Sequence, residues 1–301
     1  TLAQRTDNLF TTISVLKPSI TDDGSLLAFV SRDNYTMGNS SGLDQIFTIT
    51  TDGSNTITQI TNNQFGAFNT GYFTGSEDIE TYGYHNSNQG VFISGSGNRI
   101  AFLGNGDWHN DGSLPINATE VFFINIDGSN LTTVSAAGGK HLVNPRISDD
   151  GNIIVYGQTE GISTASDPAN LYAYNVISRM LTNLTNNTAD QRFYEYALTG
   201  DGNNVIYRFQ NDIKNTNTGT LDLVKLSTDG LNTSTTVFSI PSQPIDDINS
   251  FSWNQVVIPD FIFFPKTTTD GSKTIFGTTD YRLPPAIVDD GESQLYLATS
   301  P

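Results

Sequence analysis

Residues 144–185 read NPRISDDGNIIVYGQTEGISTASDPANLYAYNVISRMLTNLT, and this stretch decides the fold. It holds four strand-like runs: Pro145-Arg146-Ile147-Ser148, Ile153-Ile154-Val155-Tyr156, Leu171-Tyr172-Ala173-Tyr174 and Met180-Leu181-Thr182-Asn183-Leu184-Thr185. Asp149-Asp150-Gly151 forms a tight turn between the first two, and a long polar loop separates the second from the third. Short runs bounded by Gly, Asn and Asp, with little helical periodicity, predict strands joined by turns.

The unit recurs along the chain. Its third run reappears as Gln45-Ile46-Phe47, Glu120-Val121-Phe122, Asp222-Leu223-Val224 and Gln294-Leu295-Tyr296. Its turn reappears with glycines at Gly24, Gly97, Gly202 and Gly271 beside Gly151, about 50 to 70 residues apart. A second turn signal, Asp-Gly after the third run, stands at Asp52-Gly53, Asp127-Gly128 and Asp229-Gly230. Glycine at these places supplies the positive φ that tight hairpins need. Four-stranded units at this spacing predict an all-β protein folded as a single β-propeller. Five blades are expected, at about 17–61, 90–135, 144–185, 195–239 and 262–301. A sixth would have to come from 240–264 or 62–89. The last unit lacks a fourth strand, while Thr1-Leu2-Ala3-Gln4-Arg5-Thr6 resembles the fourth strand Thr56-Ile57-Thr58-Gln59-Ile60-Thr61. Residues 1–6 are therefore expected to complete the last blade, closing the ring without free sheet edges.

The run Pro18-Ser19-Ile20-Thr21-Asp22-Asp23-Gly24-Ser25-Leu26-Leu27-Ala28-Phe29-Val30-Ser31, with Asp127-Gly128-Ser129-Asn130-Leu131-Thr132, resembles the repeat of the TolB-like, WD40-like (PD40) β-propeller family. The resemblance covers nearly the whole chain. It departs most in the fifth unit, where Pro265-Lys266-Thr267-Thr268 makes a poor first strand with a less typical turn. Some members of that family carry a hydrolase domain after the propeller, and others are lyases using histidines on the propeller face. Neither pattern matches residue by residue here, so the resemblance assigns no catalytic residue.

Composition narrows the partners. The 301 residues carry 31 acidic and 14 basic side chains, a net charge of -17, spread along the chain. Such a chain repels phosphate backbones, which argues against nucleic acid and anionic membranes. No apolar run is long enough to span a bilayer. With no cysteine, disulfides, thiolate metal sites and cysteine nucleophiles are excluded. Thr1 is not an initiator methionine, which suggests a processed chain or an excised domain. No Gly-x-Ser-x-Gly elbow, P-loop or His-Glu-x-x-His occurs.

Propeller topology sorts the connections. The tight turns fall on one face, and all long ones on the other: 32–43, 62–89, 104–119, 136–143, 158–169, 186–194, 210–220, 240–261 and 279–292. Long loops on a rigid scaffold are where binding usually sits. The three histidines, His85, His109 and His141, and both tryptophans, Trp108 and Trp253, lie in them. Two candidate sites follow. One is a ligand surface of Tyr72, Tyr82, Tyr84, Trp108 and Trp253; residues 71–85 interleave such rings with Glu77, Asp78 and Glu80, suited to stacking a sugar or gripping a basic peptide. The other is a divalent metal (Zn or Ca) on His85, His109, His141 and Asp107, which the sequence does not require. Asn105 to Gly112 resembles a calcium loop only faintly, since His109 takes a donor position and the closing Glu is missing. Seven glycosylation sequons begin at Asn34, Asn39, Asn117, Asn130, Asn183, Asn186 and Asn232, a number that the Asn, Thr and Ser content explains. The expected function is non-catalytic: an extracytoplasmic binding or interaction module (periplasmic, secreted or cell-surface) taking a protein or glycan on the long-loop face. The alternatives are a metal-assisted polysaccharide lyase or hydrolase, and a structural subunit of a surface assembly or filament.

Overall fold

The computed structural model describes residues 16–39, 42–64, 67–68, 91–105, 108–110, 119–135, 142–159, 169–188, 191–211, 220–241, 262–278 and 294–299. They contain twenty strands and no helix, so no helix is long and apolar enough to cross a membrane. The expected closing strand at residues 1–6 and the sites for a sixth blade within 69–90 and 242–261 lie outside the described residues.

Three sheets have four antiparallel strands in sequence order. The first comprises β1 (Leu16–Ile20), β2 (Leu26–Ser31), β3 (Gln45–Thr50) and β4 (Ile57–Gln59). The third comprises β10 (Leu142–Ile147), β11 (Ile153–Thr159), β12 (Ala169–Asn175) and β13 (Met180–Asn183). The fourth comprises β14 (Gln191–Leu198), β15 (Asn204–Asn211), β16 (Thr220–Ser227) and β17 (Ser234–Pro241). The fifth has β18 (Ile262–Thr267), β19 (Lys273–Thr278) and β20 (Gln294–Thr299). The second has five: β5 (Ala67–Phe68), β6 (Val91–Ile93), β7 (Arg99–Asn105), β8 (Thr119–Asn125) and β9 (Thr132–Thr133). The chain divides into two compact units, Thr1–Ala165 with Tyr172–Thr182, and Ser166–Leu171 with Asn183–Pro301.

One turn design joins the first two strands of four sheets. In the first, Asp23 Oδ1 accepts from the Thr21 hydroxyl at 2.7 Å and the Ser25 N–H at 2.9 Å. Asp150 does the same with Ser148 and Asn152, and Asp201 with Thr199 and Asn203. The fifth sheet shares the geometry, Asp270 accepting from Thr268 and Ser272, although its sequence looked least typical. The following glycine takes φ near +70° in every case, a region that side chains with a Cβ enter at a cost. The turns also tie neighbouring sheets together. Asp22 N–H donates to Gly95 O at 3.1 Å, Ser96 N–H to Asp149 O at 2.8 Å, and in the second unit Asp201 N–H to Thr269 O at 3.0 Å.

Such donors depress the carboxyls of Asp23 and Asp270. Asp23 falls to about 2 through the Ser25 N–H and the Thr21 hydroxyl, and Asp270 to about 2 through the Thr268 hydroxyl and the Ser272 N–H. A carboxyl whose pKa is lower folded than unfolded adds stability that is complete above the unfolded value and is lost as pH falls through the folded one. The midpoint of chemical denaturation is therefore expected to drop between pH 4 and pH 2. Asp23→Asn with Asp270→Asn, which keep the acceptor but remove the charge, should flatten that drop. An unchanged pH profile would contradict the assignment.

A second recurring device fastens the segment after the third strand in four sheets, and it explains the polar residue near the start of those third strands. Thr61 Oγ1 accepts from the Ile46 N–H at 2.9 Å and donates to Gln45 Oε1 at 2.8 Å. Ser135 links the Val121 N–H to Glu120, and Thr185 links the Leu171 N–H to Asn170. In the fourth sheet the Ser239 hydroxyl donates to Asp222 at 2.5 Å. Gln45, Glu120 and Asn170 are buried, so the hydroxyl supplies a partner that water cannot.

Between strands two and three, rings face one another in register. Phe29 stacks on Phe47 with centroids 5.7 Å apart, and Phe102 on Phe122 at 5.3 Å. Such cross-strand aromatic pairs, with Ile46, Ile100, Ile154 and Leu171 around them, form the core.

Candidate functional site

The first strands carry a shared irregularity. Each steps by one residue at a β-bulge: between Leu16 and Ser19 in β1, Val143 and Arg146 in β10, Phe193 and Tyr196 in β14, and Phe263 and Lys266 in β18. Pro18, Pro145 and Pro265 fall inside these bulges, where a missing N–H leaves no ladder bond broken. In the second sheet, Phe68 pairs with Gly104 and Val91 with Phe102 on the same edge of β7. Strands β5 and β6 are thus two halves of one first strand. The bulge between them has grown into the whole excursion 69–90. The connection expected at 62–89 therefore ends early, because Ala67 and Phe68 are already strand.

This excursion carries Tyr72, Tyr82, Tyr84 and His85, which lie outside the described residues together with Asp107, His141 and Trp253. Its exits are described. Strand β6 packs beside β1 and β10, the first strands of the flanking sheets. The upper exit, Phe68, sits against Gly104, and Trp108 lies over that glycine. A Cβ on Gly104 would meet Trp108 Nε1 at 2.5 Å. Trp108 is only 2 % exposed and packs on Phe102 at 5.0 Å and Phe122 at 6.4 Å. Of the residues expected to form the ligand surface it is the one described, and its ring supports this end of the sheet. Position in a loop did not reveal that this ring packs onto the core.

Next to it, His109 Nε2 lies 2.9 Å from Thr133 Oγ1, with its ring 6.0 Å from Phe122. Asn110 turns outward at φ 58° and clasps the incoming chain, its Oδ1 accepting from the Gln64 N–H at 2.9 Å and its Nδ2 donating to Asn62 O at 3.1 Å. Among the described residues no group of three or more His, Asp or Glu side chains is placed to hold a metal ion. Of the four expected ligands only His109 is described, and one of its ring nitrogens is engaged with Thr133.

The loop 32–44 of the first sheet borders the same connection. Arg32 Nε donates to Asp44 Oδ1 at 2.8 Å and Nη2 to Oδ2 at 3.3 Å, a forked pair. Hydrogen bonding from Asp44, then its charge, holds the guanidinium more firmly protonated than usual. Asn39 Nδ2 bridges Arg32 O and Leu43 O at 2.9 and 2.8 Å. Tyr35 packs edge-on against Phe29 and Phe47 and donates to Asp33 Oδ2 at 2.9 Å. The Thr36 hydroxyl donates to Gln59 Oε1 on β4, and Gln45 Nε2 donates to Asn63 O. These bonds lace 32–44, 62–64 and 108–110 into one surface.

What that surface shows outward is unusual for so acidic a chain. Asp33 and Asp44 are buried, while Arg32, Asn34, Thr36, Asn62, Gln64 and Asn110 are exposed. Met37 stands 89 % exposed in a left-handed conformation, φ 62°, that a bulky side chain rarely adopts. Sequence reasoning missed Arg32 and Met37 because no motif marks them. The αL backbone and the burial of both neighbouring acids appear only in three dimensions.

No protein-family model matches the sequence, and no curated protein matches it. Solved structures do. A TolB of Agrobacterium tumefaciens is 13 % identical, with 96 % of this chain aligned to 84 % of that one at a TM-score of 0.50. An oligogalacturonate lyase in complex with manganese is 16 % identical over 95 % of this chain and 65 % of its own, with a TM-score of 0.51. The fold is that of a β-propeller. The chain also aligns, at 12 % identity and a TM-score of 0.48, over 95 % of its length with a TolB of Acinetobacter baumannii, of which it spans 54 %.

Proposed function

We propose that this propeller is an extracytoplasmic binding module that takes a protein or glycan partner at the long-connection end of its first two sheets. The observation that carries this reading is the excursion 69–90, inserted where every other first strand has only a bulge and footed on a buried tryptophan beside a laced polar surface. A first strand interrupted by a long segment rich in aromatic and acidic residues, beside a surface whose own acids are turned inward, is suited to recognition. Tyr72, Tyr82 and Tyr84 supply the aromatic contacts in this reading; Arg32 and the amides of Asn62, Gln64 and Asn110 supply polar ones. The repeat resemblance supports the location outside the cytoplasm. The sequence further supports five blades closed by residues 1–6, because Gln294 and Thr6 repeat the Gln45 and Thr61 pair that fastens the first sheet.

The test uses the whole chain, immobilised, against a glycan array and an extract of surface proteins from its own source. A retained partner should be lost, about tenfold or more in affinity, from the variant Arg32→Glu with Met37→Asp. It should be kept by Leu231→Asp, an exposed apolar residue in the tight turn between β16 and β17. Equal retention by both variants would remove the first two sheets as the binding end.

A further inference from the structure

The structure separates the sequons into two kinds, and we infer that Asn130, Asn186 and Asn232 are acceptors of N-linked glycans while Asn34, Asn39 and Asn183 are not. Asn39 is 3 % exposed, and its Nδ2 is bonded to two carbonyls. Asn183 Oδ1 accepts from the Thr185 and Asn186 N–H groups, and the Thr185 hydroxyl is committed to Asn170 and Leu171. The fold alone therefore accounts for these two sequons. Asn34 is exposed, but its Oδ1 holds the Asn39 N–H at 2.8 Å and organises the loop.

Asn130, Asn186 and Asn232 differ in exposure and in the freedom of the carboxamide. All three are exposed, and all stand in the left-handed region at φ 56°, 47° and 53°, outside the strands. No hydrogen bond holds their carboxamides. The left-handed backbone explains why Asn is tolerated there, but it does not by itself call for a hydroxyl two residues on. Asn55 makes the comparison. It occupies the corresponding place in the first sheet, φ 51°, and is followed by Thr56 and Ile57, so this turn folds without Ser or Thr at that position. Ser234 completes a sequon that its turn does not need, and the Thr132 hydroxyl donates only to Asn130 O at 3.0 Å, within its own sequon. An exposed Asn-x-Ser/Thr in a surface loop is what the glycan-transferring enzyme reads. In the transfer, Nδ2 forms a bond to the anomeric carbon of an oligosaccharide carried on a lipid phosphate or diphosphate. The carbon–oxygen bond to that phosphate breaks, one amide proton passes to a base, and the lipid phosphate departs.

The inference rests on the extracytoplasmic reading, and the experiment separates the two. The protein is purified from its own source after cell fractionation, and its peptides are mapped by mass. Sugar increments are expected on peptides bearing Asn130, Asn186 and Asn232, with Asn34, Asn39, Asn55 and Asn183 at their unmodified masses. The triple variant with Asn→Gln at the three acceptors should lose every increment at those positions. Protein found outside the cytoplasm with those three unmodified overturns the inference alone. Cytoplasmic, unmodified protein overturns both readings, and sugar on Asn39 or Asn55 overturns the sorting.

Discussion

Trp108→Ala is expected to lower the unfolding free energy by about 3–5 kcal/mol, the range for removing a large aromatic side chain from a core. The ring fills the space above Gly104 and touches both members of the Phe102–Phe122 stack. Collapse into the cavity is opposed on both sides, because Phe102 and Phe122 are held in register by the β7–β8 ladder. Trp108→Phe retains part of the ring and should lose about half as much. Urea denaturation of the three proteins, followed by far-ultraviolet circular dichroism, measures this. A cost under about 1 kcal/mol for the alanine variant would show that the residue is not a support. The binding test adds a second readout: since Gly104 pairs with Phe68, loosening this end should also weaken partner retention.

Thr61→Val should cost about 2 kcal/mol, although valine has nearly the same shape. The hydroxyl serves the Ile46 N–H and the Gln45 amide at once, and both residues are fully enclosed. Removing it leaves a buried donor unsatisfied and takes one of two partners from Gln45 Oε1, which keeps only the Asn63 N–H at 2.9 Å. The same measurement tests closure. If residues 1–6 complete the last sheet, Thr6→Val should lower stability by a similar amount; a neutral Thr6→Val beside a costly Thr61→Val would leave the last sheet closed by something else. Thr58→Val, on β4 three residues earlier and exposed, serves as the control and should stay within about 0.5 kcal/mol.

Strands, turns and their repetition were readable from sequence because their causes are local. Asp23, Asp150, Asp201 and Asp270 bond to groups two residues away, and the glycine after each supplies its own backbone freedom. The apolar run Leu26–Val30 fits a short strand covered on both faces, whatever lies beyond it. Even the poor fifth repeat keeps its turn, since one Thr, one Asp and one Gly suffice. The candidate site was readable only in part. The sequence gives the chemistry of 69–90, but Ala67–Phe68 is too short for any periodicity, so that its pairing with β7 is decided by the ladder edge waiting for it. Trp108 looked like a surface aromatic because a loop position says nothing about which way a ring turns. Its burial depends on the absence of a side chain at Gly104, four residues earlier in sequence but across a strand end in space. Arg32 and Met37 show the converse: their exposure follows from Asp44, Asn39 and Gln59 holding the loop between them.

The sequence by itself therefore determined that this protein repeats a four-stranded antiparallel unit, where its turns fall, and that its surface is acidic. These are properties of neighbours within a few residues and of composition. Only the tertiary structure decided that the long excursion leaves from inside a strand, that Trp108 belongs to the core, and which asparagines are free. Each of these depends on what a distant segment places beside the residue, and hydrogen-bond saturation and close packing settle that in space rather than along the chain.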